Sequence, residues 1–166
     1  GSSSATAWTP AFSALPEQFR VYAFDRVGCG LTDAPQDPDR FTFSESVAHA
    51  RGFLDAVGID RCHLVGSSRG AGVAAVAALD ETDRIETLTL LNSATIAPAR
   101  GELGHRMSRL HRGLPPADGT VERERERIEF RYETYSYATD HVTESFVDTA
   151  ARMACTDESW RIREAF

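Results

Sequence analysis

One serine of the chain, Ser68, has the surroundings that a nucleophile needs. It stands in the run Gly66-Ser67-Ser68-Arg69-Gly70, a Gly-x-Ser-x-Gly pattern that follows the apolar segment Cys62–Val65 and precedes an alanine-rich segment. Between a strand and a helix, this spacing puts the serine on a sharp turn that exposes its hydroxyl. The flanking glycines are expected to keep strand and helix from colliding with it. The pattern therefore predicts Ser68 as the nucleophile of an acyl transfer. The alternative is a serine that only caps a helix.

Histidine is a common base for such a serine, and the chain has five: His49, His63, His105, His111 and His141. None of them stands in a Gly-His pair after a late strand. We expect His63 to be packed or hydrogen-bonded within a strand and His49 to be exposed on a helix. The other three belong to the second half of the chain, where they could line a pocket. No histidine is therefore assigned as the base.

Asp25 ends a predicted strand and begins a glycine-rich turn. An aspartate in that position commonly accepts hydrogen bonds from nearby backbone N–H groups. We expect Asp25 to fix the turn rather than to serve as the acid of a catalytic triad.

Three strands and two helices must position these residues. The strands are predicted at Arg20–Asp25, Cys62–Val65 and Arg84–Leu91. One helix begins after a capping box, Thr42-x-x-Glu45, and ends at Gly58, and the other runs from Ser68 to about Leu79. Alternating strands and helices predict an α/β fold with a doubly wound, mostly parallel sheet. The near-continuous apolar strands predict burial on both faces.

The second half of the chain has a different pattern. From Ala97 onward strand signals stop, and helices are predicted at Thr120–Tyr137, Thr143–Met153 and Glu158–Phe166. In the first of these helices an apolar stripe is formed by Val121, Ile128, Tyr132 and Tyr135. Alternating glutamates and arginines at 122–127 predict a solvated, ion-paired face. We therefore predict two domains, a partial core over 1–96 and a helical cap over 97–166.

Composition limits the classes of function. The chain has 166 residues, of which 42% are hydrophobic and 26% charged, as in globular proteins. It has no apolar stretch long enough to span a membrane, and its first residues lack the features of a signal peptide. These observations predict a cytoplasmic protein without a membrane partner. The formal charge of −7 argues against nucleic acid as a partner.

The three cysteines, Cys29, Cys62 and Cys155, lack Cys-x-x-Cys spacing and a histidine cluster nearby. Reduced, structural thiols are expected, with no metal site. The eighteen basic residues are all arginine and are interleaved with acids, so they do not form a phosphate-binding patch.

Four features in order resemble the α/β-hydrolase superfamily: a small-residue loop before Trp8, the turn Asp25-x-x-Gly28-x-Gly30, the Ser68 pattern, and Asp83-Arg84-Ile85 leading to Leu90-Leu91-Asn92-Ser93-Ala94. Within it, Ala5-Thr6-Ala7-Trp8 and the segment 135–144 are similar to the meta-cleavage-product hydrolases. Those are serine enzymes that hydrolyse a carbon–carbon bond next to a ketone. The resemblance covers almost all of the chain but only the middle of such a protein.

The resemblance implies a helical cap over an apolar pocket and no cofactor. It places the oxyanion hole at the backbone N–H of Arg69 and a second N–H at Gly1 or Ser2. The acid and the histidine would follow the cap, beyond Phe166, and a strand would precede Gly1. We therefore expect a portion of a longer polypeptide, with a gap in the sheet between the strands ending at Asp25 and Ser67. The rival interpretation is a complete but degenerate domain without hydrolytic activity.

Three positions depart from the meta-cleavage-product pattern. Ser67 and Pro10 stand where that family has asparagine, and Ala150 stands where it has a cap arginine that binds an anionic substrate; Arg152 lies two residues later. A dienoate substrate is thus not implied. The leading hypothesis is a serine hydrolase acting on an ester, a thioester or a ketone C–C bond of a small hydrophobic molecule. The alternative is a non-hydrolytic ligand-binding or pathway accessory protein, and a homo-oligomer is left open.

Overall fold

The computed structural model describes residues 5–35, 37, 40, 42–93, 96, 101, 112–136 and 138–156, with the backbone alone at position 135. The chain divides into two compact units: a sheet unit, residues 37–106, and a helical unit, residues 1–36 with 107–166. The predicted division into a core over 1–96 and a cap over 97–166 stays a prediction. The helix predicted at Glu158–Phe166 lies outside the described residues.

The sheet unit alternates helices and parallel strands. In chain order its elements are α2 (Phe43–Ala56), β1 (Cys62–Ser67), α3 (Arg69–Asp80) and β2 (Ile85–Leu91), and the helical unit contributes the earlier α1 (Thr9–Ala14). β1 and β2 pair in parallel, with His63 opposite Thr87 and Ser67 opposite Leu91. Helix α3 packs against both strands, and α2 packs against α3. The predicted α/β class, with parallel strands joined by a helix, is confirmed.

Helix α2 has the two ends that its sequence predicts. The Thr42 side chain accepts a hydrogen bond from the Glu45 N–H at 3.1 Å, which caps the first turn. Only this half of the capping box forms, because the Thr42 N–H donates to Arg40 and the Glu45 carboxylate pairs with the Arg40 guanidinium. At the other end Gly58 has φ +67, and the N–H groups of Gly58 and Ile59 donate to the last turn of the helix.

The core of the sheet unit lies between α2, α3 and one face of the sheet. Its most buried apolar residues are Val47, Ala50, Leu54, Ala71, Val73, Ala74 and Ala77. The predicted burial of both sheet faces is wrong for the described structure. Gly66 is buried beneath α3, whereas its neighbour Val65 on the opposite face is 45% exposed, and Thr89, which pairs with Val65, is exposed as well. Successive side chains of a strand point to opposite faces, and the described residues cover one of them.

Ion pairs fix the end of the sheet unit at which β2 begins. The Arg84 guanidinium donates to the Asp55 carboxylate at 2.6 Å and to the Ile59 carbonyl at 2.7 Å. The hydrogen bond to Asp55 raises the pKa of Arg84. Arg51, from the middle of α2, pairs with Glu81 at the end of α3 at 2.6 Å. These contacts tie both helices to the start of β2.

The helical unit contains the two predicted cap helices, α4 (Val121–Tyr135) and α5 (Glu144–Ala154). Both are capped by threonines, Thr120 and Thr143, whose side chains accept a backbone N–H three residues on. The two helices share an apolar core of Ile128, Val147 and Ala151, with Val121, Tyr132, Val142, Phe146 and Ala150 packed around it. The predicted helices at 120–137 and 143–153 are thus confirmed.

The charged stretch at 122–127 is only partly the solvated face that its sequence predicts. Glu124 is 3% exposed, because it lies one turn from the core residue Ile128 on the same face of α4. Its carboxylate pairs with the Arg127 Nε at 3.1 Å, as a buried charge requires. Arg125 instead reaches across to Asp148 of α5 at 2.8 Å. Hydrogen bonds from Arg152 and Arg125 lower the pKa of Asp148.

Residues 20–25 do not form a strand, so the prediction there is wrong. Their β-branched and aromatic side chains have the right composition, but a strand also needs a neighbour to complete its hydrogen bonds. Among the described residues the sheet consists of β1 and β2. In the part of the chain that the structure describes, no helix is long and apolar enough to cross a membrane.

Two glycines of similar exposure should respond oppositely to alanine. Gly58→Ala places a Cβ at φ +67 and is expected to destabilise the protein by about 1 kcal/mol. Gly52→Ala, in the middle of α2 with open space around it, should stabilise the protein by about 0.5–1 kcal/mol. Urea denaturation of both variants measures the difference. Equal midpoints would show that the Gly58 turn does not determine the end of α2.

Candidate active site

The strand–turn–helix setting predicted for Ser68 is present. Ser68 joins β1 directly to α3 and has φ 55 and ψ −125, a conformation that non-glycine residues rarely adopt. The turn is held from both sides: the Ser68 N–H donates to the Leu91 carbonyl at 2.9 Å, and the Ala71 N–H donates to the Ser68 carbonyl at 3.1 Å. The serine is exposed. Its hydroxyl makes no capping hydrogen bond to α3, so the structure does not support the alternative that Ser68 only caps the helix.

The two glycines of the pattern have unequal roles. A Cβ on Gly66 would lie 2.5 Å from the Gly70 carbonyl oxygen and 2.7 Å from the Ala71 Cα, both backbone atoms that cannot move aside. A Cβ on Gly70 would meet nothing within 4 Å. The expectation that both glycines prevent a collision is therefore correct for Gly66 and wrong for Gly70. Close approach of β1 to the first turn of α3 is what requires the glycine.

Arg69 is the first residue of α3, and its side chain is exposed. Its backbone N–H belongs to the positive end of the helix, where developing negative charge is stabilised. The other predicted oxyanion donors, Gly1 and Ser2, lie outside the described residues, as do His105 and His111.

Asn92 is a further residue at this edge of the sheet, and it was missed by the sequence analysis. It follows β2 directly, as Ser68 follows β1, and has φ 48. Ser68 and Asn92 are the two non-glycine residues with positive φ among those described. Asn92 could have been found from its position one residue beyond a strand parallel to β1, because parallel strands bring their carboxyl ends to one edge of the sheet.

Asp25 fixes its turn as predicted. Its carboxylate accepts the Ala5 N–H at 2.5 Å and the Leu31 N–H at 2.9 Å, and its carbonyl accepts the Thr32 hydroxyl at 2.8 Å. Gly30, with φ +59, passes so close that a Cβ there would collide with the carboxylate. Asp25 thereby joins the segment that begins at Ala5 to the 25–33 turn of the helical unit.

Three histidines lie in the described part of the chain. His63 shares a 2.9 Å contact with the Thr87 hydroxyl, which agrees with its prediction as a hydrogen-bonded strand residue. His49, predicted to be exposed, is half-buried on α2, and burial lowers its pKa. His141 is exposed and packs edge-on against Tyr132, with ring centroids 5.8 Å apart.

No group of three or more metal-ligating side chains is found among the described residues. A shallow depression of about 490 Å³ in the helical unit is lined by residues between Phe12 and Val21. Its lining contains no serine, cysteine or histidine that could act as a nucleophile or base. The elbow at Ser68 is therefore the candidate active site.

Comparisons with known protein families and with individual relatives all match parts of the chain to hydrolases. A family model described as the alpha/beta hydrolase fold matches residues 1–140. A 2-hydroxymuconate semialdehyde hydrolase from Pseudomonas sp. strain CF600 is 36% identical over 95 residues, which are 55% of this chain and 33% of that protein. A protein from Variovorax paradoxus that is provisionally named a carbamate hydrolase is 37% identical over 91 residues, which are 54% of this chain and 34% of that protein.

A solved structure extends the likeness over the whole chain. The meta-cleavage product hydrolase from Pseudomonas fluorescens IP01 is 26% identical and superposes with a TM-score of 0.69, covering 99% of this chain and 57% of that one. The resemblance to meta-cleavage-product hydrolases is thereby confirmed. The chain spans about a third of the length of the two curated relatives.

Alanine substitutions should separate the two glycines of the elbow. Gly66→Ala is expected to cost at least about 2 kcal/mol of stability, because the new methyl group meets immovable backbone. Gly70→Ala, in open space within a helix, is expected to be neutral or slightly stabilising. Thermal or urea unfolding of the two variants measures this contrast. A Gly70→Ala variant as unstable as Gly66→Ala would contradict the described geometry.

Removing the charge of Asp25 should weaken its turn. In Asp25→Asn one carboxylate oxygen becomes an NH₂ group, which faces a backbone N–H and cannot accept from it. We expect a loss of about 1–3 kcal/mol in the free energy of unfolding. Asp33→Asn, an exposed change in the same turn, is the control and should have little effect. Equal effects of the two substitutions would contradict the conclusion that the Asp25 carboxylate stabilises the turn.

Proposed function

Because the chain belongs to the α/β-hydrolase family, we propose that it carries the nucleophile of a serine hydrolase that works through an acyl-enzyme. The observation that supports this proposal is the elbow itself. A strained, exposed serine between β1 and α3, with its hydroxyl making no cap to the helix, is the arrangement that a serine nucleophile needs. Strain of about 1–3 kcal/mol is tolerated where the surrounding structure fixes the residue.

The reaction has two steps. The Ser68 Oγ attacks a carbonyl carbon and gives its proton to a general base, while the carbonyl π electrons move to the oxygen. The oxyanion is assigned to the backbone N–H of Arg69, with a second N–H at Gly1 or Ser2. Collapse of this intermediate breaks the bond to the leaving group, which takes the proton. Water then attacks the acyl-enzyme, releases a carboxylic acid and restores Ser68.

We assign the general base and its acid to residues outside 1–166, in the order serine, acid, histidine. This assignment is supported by the partial coverage of the relatives and by the position of His63. His63 lies on β1, five residues before Ser68, and is about 16 Å away at the rise of an extended chain. A base must reach the hydroxyl within about 3 Å or through one water.

We infer the substrate class from the carbonyl compounds in the names of the relatives and from the residue at the cap-arginine position. One of the two relatives is named for the hydrolysis of a semialdehyde, and the other is provisionally named for the hydrolysis of a carbamate. Both compounds contain a carbonyl carbon. At the position of the family's cap arginine, Ala150 packs against the apolar core of α4 and α5. The nearby Arg152 is held by Asp148 at 3.0 Å. We therefore propose a small hydrophobic ester, thioester or ketone without an anionic group that needs a cap arginine.

Substitution of the nucleophile tests the proposal. Ser68→Ala in the intact protein should lower kcat/KM for small p-nitrophenyl esters by at least about a thousandfold, since no other hydroxyl replaces the attacking oxygen. A fluorophosphonate probe should label the wild-type protein on Ser68. Ser67→Ala, one residue earlier, is the matched control and should still be labelled.

Hydrolysis that survives Ser68→Ala would refute a serine mechanism. A protein that neither hydrolyses esters nor reacts with the probe, yet binds a small carbonyl compound, would instead support the non-hydrolytic, ligand-binding alternative.

A further inference from the structure

Asn92 lies beside the proposed nucleophile because of the strand register. Ser67 and Leu91 are paired in the parallel ladder, so Ser68 and Asn92 are the residues that directly follow two adjacent strands. Adjacent strands lie about 5 Å apart. The hydrogen bond from the Ser68 N–H to the Leu91 carbonyl, 2.9 Å long, holds the two strand ends in this register.

The Asn92 side chain is available for a ligand. The residue is exposed, whereas Ser93 after it is 7% exposed, so the chain turns inward directly after presenting the amide at the edge. Asparagine often adopts a positive φ when its side chain bonds to nearby backbone. Among the described residues no such bond is made by the Asn92 amide, so the turn alone does not explain why the side chain is an amide.

We propose that Asn92 is a specificity-determining residue that donates a hydrogen bond to an oxygen of the acyl group attacked by Ser68. This inference rests on the proposed function. A hydrogen bond spans about 3 Å, which, with the strand separation, places the bound oxygen within a few covalent bonds of the reacting carbonyl carbon. The substrate class is therefore a carbonyl compound with an ether, hydroxyl or keto oxygen two or three bonds from that carbon.

Two esters of equal size test the inference. p-Nitrophenyl methoxyacetate and p-nitrophenyl butyrate differ by an ether oxygen in place of a CH₂ group, two bonds from the carbonyl carbon. The quantity measured is the ratio of their kcat/KM values in the intact protein. Because each variant is compared with wild type, the different chemical reactivities of the two esters cancel.

Two substitutions preserve the positive φ while removing the donor. Asn92→Asp keeps the shape but replaces the NH₂ group by an acceptor, and Asn92→Gly removes the side chain. Both should lower the methoxyacetate-to-butyrate ratio about three- to tenfold, as the loss of one hydrogen bond predicts. Thr89→Val, an exposed change on β2 three residues earlier, is the control and should keep the wild-type ratio.

The possible failures are distinguishable. Ester hydrolysis that survives Ser68→Ala overturns the proposed function and this inference with it. Hydrolysis that depends on Ser68 but keeps the wild-type ester ratio in both Asn92 variants overturns this inference alone. Two results would show that Asn92 stabilises the turn rather than contacting the substrate: loss of fluorophosphonate labelling in both Asn92 variants, or an equal fall in kcat/KM for the two esters. Either result would also overturn the proposed hydrogen bond.

Discussion

The close approach of β1 to the first turn of α3 is the constraint on which the candidate site depends. The chain must reverse from strand to helix within one residue, and Ser68 makes this reversal at φ 55. Only a glycine at position 66 lets the Gly70 carbonyl and the Ala71 backbone come so near. Exposure of the serine and the start of α3 at Arg69 both follow from that contact.

A strained turn persists only when stronger contacts surround it. In the sheet unit these are the register of β1 with β2 and the apolar packing of α3, with Ala71 wholly buried. The opposite end of β2 is fixed separately, where Arg84 bonds to Asp55 and to the Ile59 carbonyl. Contacts of the Arg84 guanidinium thus hold the end at which β2 begins. Ser68 and Asn92 lie at the other edge, where the carboxyl ends of β1 and β2 meet and where ligands of parallel sheets bind.

Local signals in the sequence predicted local structure well. The Thr42 cap, the Gly58 stop and the elbow at Ser68 each depend on a few neighbouring residues, and all three occur in the structure. What depends on distant partners was not predictable in this way. Residues 20–25 have the composition of a strand without being one, and Glu124 looked solvated because charge alternation does not show which face of α4 packs against α5.

The candidate site shows the same division between local and non-local information. A Gly-x-Ser-x-Gly pattern identifies Ser68, because the elbow is built from consecutive residues. Asn92 has no pattern of its own, since it becomes a neighbour of Ser68 only through the pairing of Ser67 with Leu91, 24 residues apart in number. The proposed nucleophile can thus be recognised from a motif, whereas the residue proposed to select its substrate becomes its neighbour through strand register. Relatives that share an elbow can therefore differ in substrate, because what surrounds the nucleophile is contributed by other strands and loops.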